Sequence, residues 1–292
     1  MTAATRNLVL LTGANGRTGR AVLAALSKTG ADVRVFVRQA GQFESLRPLG
    51  ARELAVGDML DAGSIRAALE GCARLVHIGP PMHPQEREIT ASFIGAARAA
   101  GLAQFVYYSV MHPLRTDVRH HRLKLEAESL LVRSGLPYTI VQPMRYMQHL
   151  EPIWRQVREE GVHAMPFSTS VKFNVVDLAD LAAAVARVTT GPGHLYATYE
   201  LAGPEALSQD DMAATLAQLL GRPVRARAIP LDEMQDRARK AGASEDRIEQ
   251  MTAMNRHYDE HGFLGNSNVL GWLLGRDPTR YADYVRRLIA AG

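Results

Sequence analysis

Leu8-Val9-Leu10-Leu11-Thr12-Gly13-Ala14-Asn15-Gly16-Arg17-Thr18-Gly19-Arg20 is the stretch whose reading decides the fold. Four consecutive apolar residues predict a buried first strand, and Ala21-Val22-Leu23-Ala24-Ala25-Leu26 predicts the body of a helix. The three glycines between them have separate duties. Gly13 permits the sharp strand-to-helix turn, Gly16 lets a ligand approach the backbone, and Gly19 lets helix and strand pack closely. Free amides at the helix start, with Asn15, Arg17 and Thr18 beside them, suit the pyrophosphate of a dinucleotide.

The next strand, Val33 to Val37, ends in Arg38 and Gln39, where a protein preferring NAD usually carries an acid for the ribose hydroxyls. Asp32 precedes that strand and so falls at the opposite edge of the sheet. Arg38, helped by Arg17, offers planar cationic donors suited to a 2′-phosphate, although both could also be solvated surface arginines. The expectation is NADPH in preference to NADH.

Working outward, short apolar strands alternate with helical segments over the first two hundred residues. Strands are expected at 51–58, 74–79, 104–109, 138–143 and 197–201, with helices near 64–70, 86–100, 119–134 and 177–189. That alternation predicts an α/β fold, a Rossmann-like doubly wound parallel sheet with helices on both faces. Later, Ser208 with Asp210 and Asp211 resembles a helix start, opening 212–220. A short strand at 224–229 and helices near 231–241, 244–258 and 278–290 follow. Residues 1–150 and 175–201 are thus read as a dinucleotide-binding domain. Residues 151–174 and 202–292 are read as a smaller, mostly helical substrate-covering region.

Composition bounds the function class. The 292 residues are 47% apolar and 22% charged, enough for a sizeable buried core. No apolar run approaches bilayer length, and no secretory signal pattern opens the chain. One cysteine, Cys72, excludes an internal disulfide and a cysteine metal cluster, and the ten histidines show no ligand spacing. A cytoplasmic setting is the expectation. A net charge of +4, with scattered basic residues, gives no reason to expect nucleic acid. The oligomeric state, monomer or homodimer, stays open.

Ligands of open α/β sheets bind beyond the carboxyl ends of the strands. Attention therefore falls on Asp58, on Gly79-Pro80-Pro81-Met82, on Ser109-Val110-Met111-His112, and on Gln142-Pro143-Met144-Arg145-Tyr146. Here the chain resembles the atypical short-chain dehydrogenase/reductase superfamily, and within it the NmrA-like group that includes quinone-oxidoreductase-type proteins. The resemblance rests on the Thr12-to-Gly19 loop, Val37-Arg38, Gly57-Asp58, the strand ending at Ser109 and Lys124-x-x-Ala127-Glu128. It continues through Ser134 to Pro143 and through Phe173 to Leu181 with Asp177 and Asp180, covering roughly residues 7 to 205. It implies NADP(H) bound across the sheet, with Asp58, Gly79, Pro80, Lys124 and Pro143 joining the glycine loop and Arg38 as cofactor-binding residues.

The resemblance also exposes a departure. Reductases of the broader superfamily use a serine, a tyrosine and a lysine, the tyrosine four residues before the lysine. Ser109 and Lys124 occupy two of these places, but His120 stands where the tyrosine would be. Helical spacing puts His120, His121 and Lys124 on one side of a turn. The catalytic candidates are accordingly Lys124, Ser109 and His120. The candidates for substrate contact are Met82, Met111, His112, Met144, Tyr146 and Met147. Methionine is a pliable, polarizable surface, so a small planar or aromatic substrate is expected.

Three readings follow. The first is an NADPH-dependent oxidoreductase passing hydride to a quinone or other conjugated aromatic carbonyl, for which weak acid catalysis suffices. The second is a non-catalytic NADP(H) sensor of the NmrA type with a regulatory partner. The third is a reductase of ordinary ketones or enones, working through His120 or a tyrosine such as Tyr107 or Tyr146.

Overall fold

The structure, a computed structural model, describes residues 7–291; residues 1–6 and 292 of the two expected domains lie outside them. The chain runs β1 (Leu8–Leu11), α1 (Arg17–Lys28), β2 (Asp32–Val37), β3 (Ala51–Val56), α2 (Ala62–Leu69) and β4 (Arg74–His77). It continues with α3 (Glu86–Ala99), β5 (Gln104–Tyr108), α4 (Arg119–Arg133) and β6 (Tyr138–Pro143). Then come α5 (Trp154–Glu160), β7 (Val162–Met165), β8 (Phe173–Asn174), α6 (Leu178–Thr190) and β9 (Ala197–Leu201). The remainder is β10 (Ala206–Leu207), α7 (Gln209–Leu220), β11 (Arg225–Ala228), α8 (Leu231–Lys240), α9 (Glu245–His261), α10 (Asn268–Leu274) and α11 (Tyr281–Ala290).

Seven strands form one sheet in the order β3-β2-β1-β4-β5-β6-β9. Neighbours from β3 to β6 are parallel, and β9 runs beside β6, with Tyr196 N donating to Tyr138 O and Met144 N to Leu201 O. Helices flank this Rossmann-like sheet, as the alternation predicted. Every residue of β1 and β5 is buried, which explains why these strands read as continuous runs without an exposed face. The chain winds outward from β1 to β3, then returns and winds the other way from β4. The carboxyl ends of β1 and β4 therefore bound a topological switch point, where such folds form a crevice.

By compactness the described chain divides into two units. The first holds residues 7–116, 121–142 and 181–199. Its core gathers Leu8, Leu10, Phe36, Leu75, Phe93, Phe105 and Ile140. The second holds 117–120, 143–180 and 200–291. In it β7 pairs parallel with β11, β8 pairs antiparallel with β10, and Val162, Ala164 and Ile229 form a small core. Ser208 and Asp211 make a reciprocal capping box at the start of α7. Two buried carboxylates fix the chain end: Asp177 accepts from Arg287 and from Gln148 Nε2 at 2.7 Å, and Asp180 accepts from Arg276 and from Thr279 N at 2.6 Å.

Within 151–174, α5 is followed by the buried strands β7 and β8, which were not expected from sequence. The partner of β7 lies some sixty residues later, so local periodicity could not show it. No helix among the described residues is long and apolar enough to cross a membrane.

Candidate functional site

The glycine loop takes the shape its spacing demands. Gly13 sits at φ +63°, and a Cβ there would meet Ile78 O at 2.7 Å; a Cβ on Gly19 would meet Gly13 O at 2.1 Å. Both glycines are therefore required by the protein's own packing. Gly16 differs, because its nearest neighbour, Gly13 O, would be 3.3 Å from a Cβ and nothing else lies within 4 Å. The space above Gly16 is left open, which fits the close approach of a ligand. No side chain caps α1 at Gly16, and no acid lies in its first turn, so the helix start suits an anion. Asn15 Oδ1 accepts weakly from Arg20 at 3.3 Å.

Beneath the loop, Thr12 Oγ1 accepts from Ile78 N at 2.9 Å and donates to Ile78 O at 3.1 Å, clamping the ends of β1 and β4. It also lies 3.1 Å from His77 Nδ1. With the hydroxyl proton given to Ile78 O, His77 must donate from Nδ1. Burial pushes the His77 pKa down to about 4, so the ring is neutral near pH 7.

Two further clusters occupy the same end of the first unit. Lys124 Nζ donates to Glu86 Oε1 at 2.7 Å and to Tyr108 O at 3.1 Å. The Tyr107 phenol also donates to Glu86 Oε1 at 2.7 Å. Burial opposes ionisation of Glu86, but Lys124 and Tyr107 outweigh it and hold this carboxyl below its ordinary range. Glu86 packs against Gly79, where a Cβ would lie 2.8 Å from Oε2. An ammonium has three donors and two are taken, so Lys124 keeps one N–H for another acceptor. Alongside, the Ser109 hydroxyl donates to Glu128, which also accepts from Gln142 Nε2 at 2.9 and 3.0 Å. Burial raises the Glu128 pKa against these hydrogen bonds. With its proton directed at Glu128, Ser109 can only accept from a ligand.

Tyr107 is corrected as an acid. It is fully buried, its proton is held by Glu86, and desolvation followed by the Glu86 charge lifts its pKa well above the ordinary value.

The remaining candidates divide between the units. In the first, Arg38 and Asp58 are exposed beyond β2 and β3, and Asp58 Oδ1 accepts from Leu60 N at 2.9 Å. Arg38 makes no hydrogen bond or ion pair among the described residues. Arg17 is exposed, Thr18 and Pro80 are half-buried, and Met111 is buried. Met82 and His112 hold left-handed backbones, φ +54° and +51°, in the loops after β4 and β5. His112 O lies 2.9 Å from His121 Nδ1. In the second unit Pro143, Met144 and Met147 are buried. Tyr146 stacks on His149 with ring centroids 5.5 Å apart, and His120 is half-buried at the start of α4.

Glu86 and His77 were not singled out from sequence, and Gln142 and Thr12 were named only as parts of a strand end and the glycine loop, with no role of their own. An acid opening a helix after a proline-rich loop reads as a favourable charge on the helix dipole, and nothing local announces a lysine 38 residues away. Eleven of the twelve cofactor-binding candidates, all but Pro143, belong to the first unit: seven in its loops, Arg17, Thr18 and Gly19 in the first turn of α1, and Lys124 on α4; no group of three or more His, Cys, Asp or Glu among the described residues could hold a metal.

The pattern of the NmrA-like family matches residues 5–281. An NAD(P)H azoreductase of Xenophilus azovorans is 28% identical over 285 residues, covering 97% of this chain and 99% of that protein. Quinone oxidoreductase 2 of Escherichia coli is 26% identical over 283 residues, covering 96% and 98%. A crystal structure of the Escherichia coli NADPH-dependent quinone oxidoreductase complexed with NADPH matches with TM-score 0.85 at 26% identity, over 96% of this chain and 99% of that one.

Proposed function

The chain belongs to the NmrA-like family, and on that premise we propose that it is an NADPH-dependent oxidoreductase acting on a quinone or another planar conjugated carbonyl. The observation that carries this reading is the glycine cradle. Gly13 and Gly19 are closed by the protein's own atoms, while Gly16 stands open before an uncapped helix start. The residues present fit a dinucleotide: the α1 amides for the pyrophosphate and exposed Arg38 for the 2′-phosphate. NADPH supplies the hydride.

The protein's share is binding and orientation. Lys124, fixed by Glu86 and Tyr108 O, offers its remaining N–H to a ribose hydroxyl or to substrate oxygen. Ser109, fixed by Glu128, offers an acceptor. A quinone becomes aromatic on reduction, so a strong side-chain acid is not required. That accommodates His120 in the place of the tyrosine. The test is NADPH oxidation with a panel of quinones, enones and aromatic ketones, comparing wild type with Lys124→Ala. Quinone turnover that collapses in the variant supports the reading; tight NADPH binding with no turnover on any compound overturns it.

The sensor reading has one observation in its favour. The buried Glu86–Lys124 pair gives Lys124 a structural reason to exist, independent of chemistry. A sensor would bind NADP(H) and oxidise none.

A further inference from the structure

Arg145, just past β6 in the second unit, has no carboxylate partner among the described residues. Its guanidinium carbon lies 5.2 Å from the centre of the Phe167 ring, and Nη2 reaches the Met165 sulfur at 3.2 Å. Its side chain has no oxygen acceptor among the described residues. Other arginines of the same unit are matched: Arg276 to Asp180, Arg287 to Asp177, and Arg227 to Glu233. A thioether is a weak acceptor, so most of the five guanidinium donors of this half-buried arginine are left for solvent or a ligand.

The surroundings do nothing to neutralise it. Phe167 packs on Phe173 at 4.6 Å, and Phe173 meets the edge of Tyr258 at 6.1 Å, making an aromatic wall. On β7, His163 is 1% exposed, and its Nδ1 has no hydrogen-bond partner. Burial, and then the Arg145 charge, pushes the His163 pKa down to about 4, so it is neutral near pH 7. Arg145 keeps its charge, since burial lowers its pKa only to about 10. A half-buried cation beside an aromatic wall, with a neutral imidazole nearby and no carboxylate partner among the described residues, is a ready place for an aromatic anion.

We propose that Arg145, with the aromatic wall of Phe167 and Phe173, holds an oxyanion, a sulfonate, carboxylate or phosphate, carried on a planar aromatic ligand bound within the second unit. The oxyanion takes the guanidinium donors that the protein leaves open, so this position binds anionic in preference to neutral aromatic compounds.

The test is calorimetric binding of naphthalene-2-sulfonate, of neutral 2-naphthalenemethanol and of inorganic sulfate. The wild type is expected to bind the aromatic sulfonate about ten- to a hundred-fold more tightly than the alcohol, the range for a hydrogen bond to a charged group. It should also bind it more tightly than sulfate alone. Arg145→Met should abolish the preference, and Arg145→Lys should retain part of it. Equal binding of sulfonate and alcohol by the wild type overturns the proposal. So does a preference that survives in Arg145→Met, or sulfate binding as tight as the aromatic anion. Because binding is read without turnover, the two claims separate. A sulfonate preference through Arg145 in a chain that oxidises no NADPH keeps the anchor and removes the reductase reading. Quinone turnover without any sulfonate preference does the reverse.

Discussion

Lys124 and Glu86 form a buried ion pair, 2.7 Å between Nζ and Oε1 with side chains 7% and 3% exposed, which joins the middle of α4 to the first residue of α3. Removing one partner of such a pair strands the other charge. Glu86→Ala should therefore lose about 3–5 kcal/mol in denaturant melts. The double variant Glu86→Leu/Lys124→Met should recover most of that loss. A Glu86→Ala protein as stable as wild type would show that the pair does not hold these helices.

Stability should fall in acid, in two windows. His77 and His163 have folded pKa values lowered to about 4 by burial, against about 6.5 when unfolded. Below pH 6.5 the unfolded chain binds these protons and the native chain does not, so stability rises with pH across the interval from 4 to 6.5. Near pH 5 the slope from the two rings is about 2.4 kcal/mol per pH unit. Glu86 also has a lowered folded pKa, so its contribution is complete above the ordinary carboxylate value of about 4.3 and is lost only as pH falls below it. Urea melts at pH 5.0, 5.5 and 7.0 measure the first window; a flat profile would contradict it.

The glycines of the loop should respond differently to one added methyl. Gly19→Ala drives a Cβ to 2.1 Å from Gly13 O and should cost about 1–3 kcal/mol or more of stability. Gly16→Ala meets only a 3.3 Å neighbour, so its melting temperature should stay close to wild type while its affinity for NADPH falls. Thermal melts and NADPH titration of the two variants give the comparison.

Arg38 is exposed and makes no ion pair among the described residues, so Arg38→Ala should leave stability within about 0.5 kcal/mol. Its NADPH affinity should drop roughly tenfold, with NADH nearly unaffected. Equal loss for both cofactors would remove Arg38 from the 2′-phosphate.

The sheet was legible because its strands are buried on both faces. Runs such as Leu8-Val9-Leu10-Leu11 and Gln104-Phe105-Val106-Tyr107-Tyr108 have no amphipathic ambiguity, and each is followed by a clear turn or helix. The misses have separate causes. β7 contains a buried histidine and takes its partner from β11, a strand of alternating arginine and alanine, so neither announces the other. α10 carries Gly271 at its middle, which weakens a helical reading. At the candidate site, the glycine loop could be read because spacing alone fixes a turn. Glu86 could not, because its meaning lies in a lysine on another helix. Tyr107 was misjudged for the same reason: a tyrosine near a strand end looks available until its burial and its bond to Glu86 are known. Arg145 was visible as a basic residue past β6, but only the fold shows that no acid meets it.

The most direct test of the account is an anaerobic single turnover with 4-deuterated NADPH and one equivalent of 1,2-naphthoquinone, followed at 340 nm. The account predicts one quinol formed per NADPH oxidised, with a slower rate for the cofactor deuterated at the transferred position. NADPH that binds stoichiometrically and stays reduced through such trials with quinones, enones and aromatic ketones would contradict it.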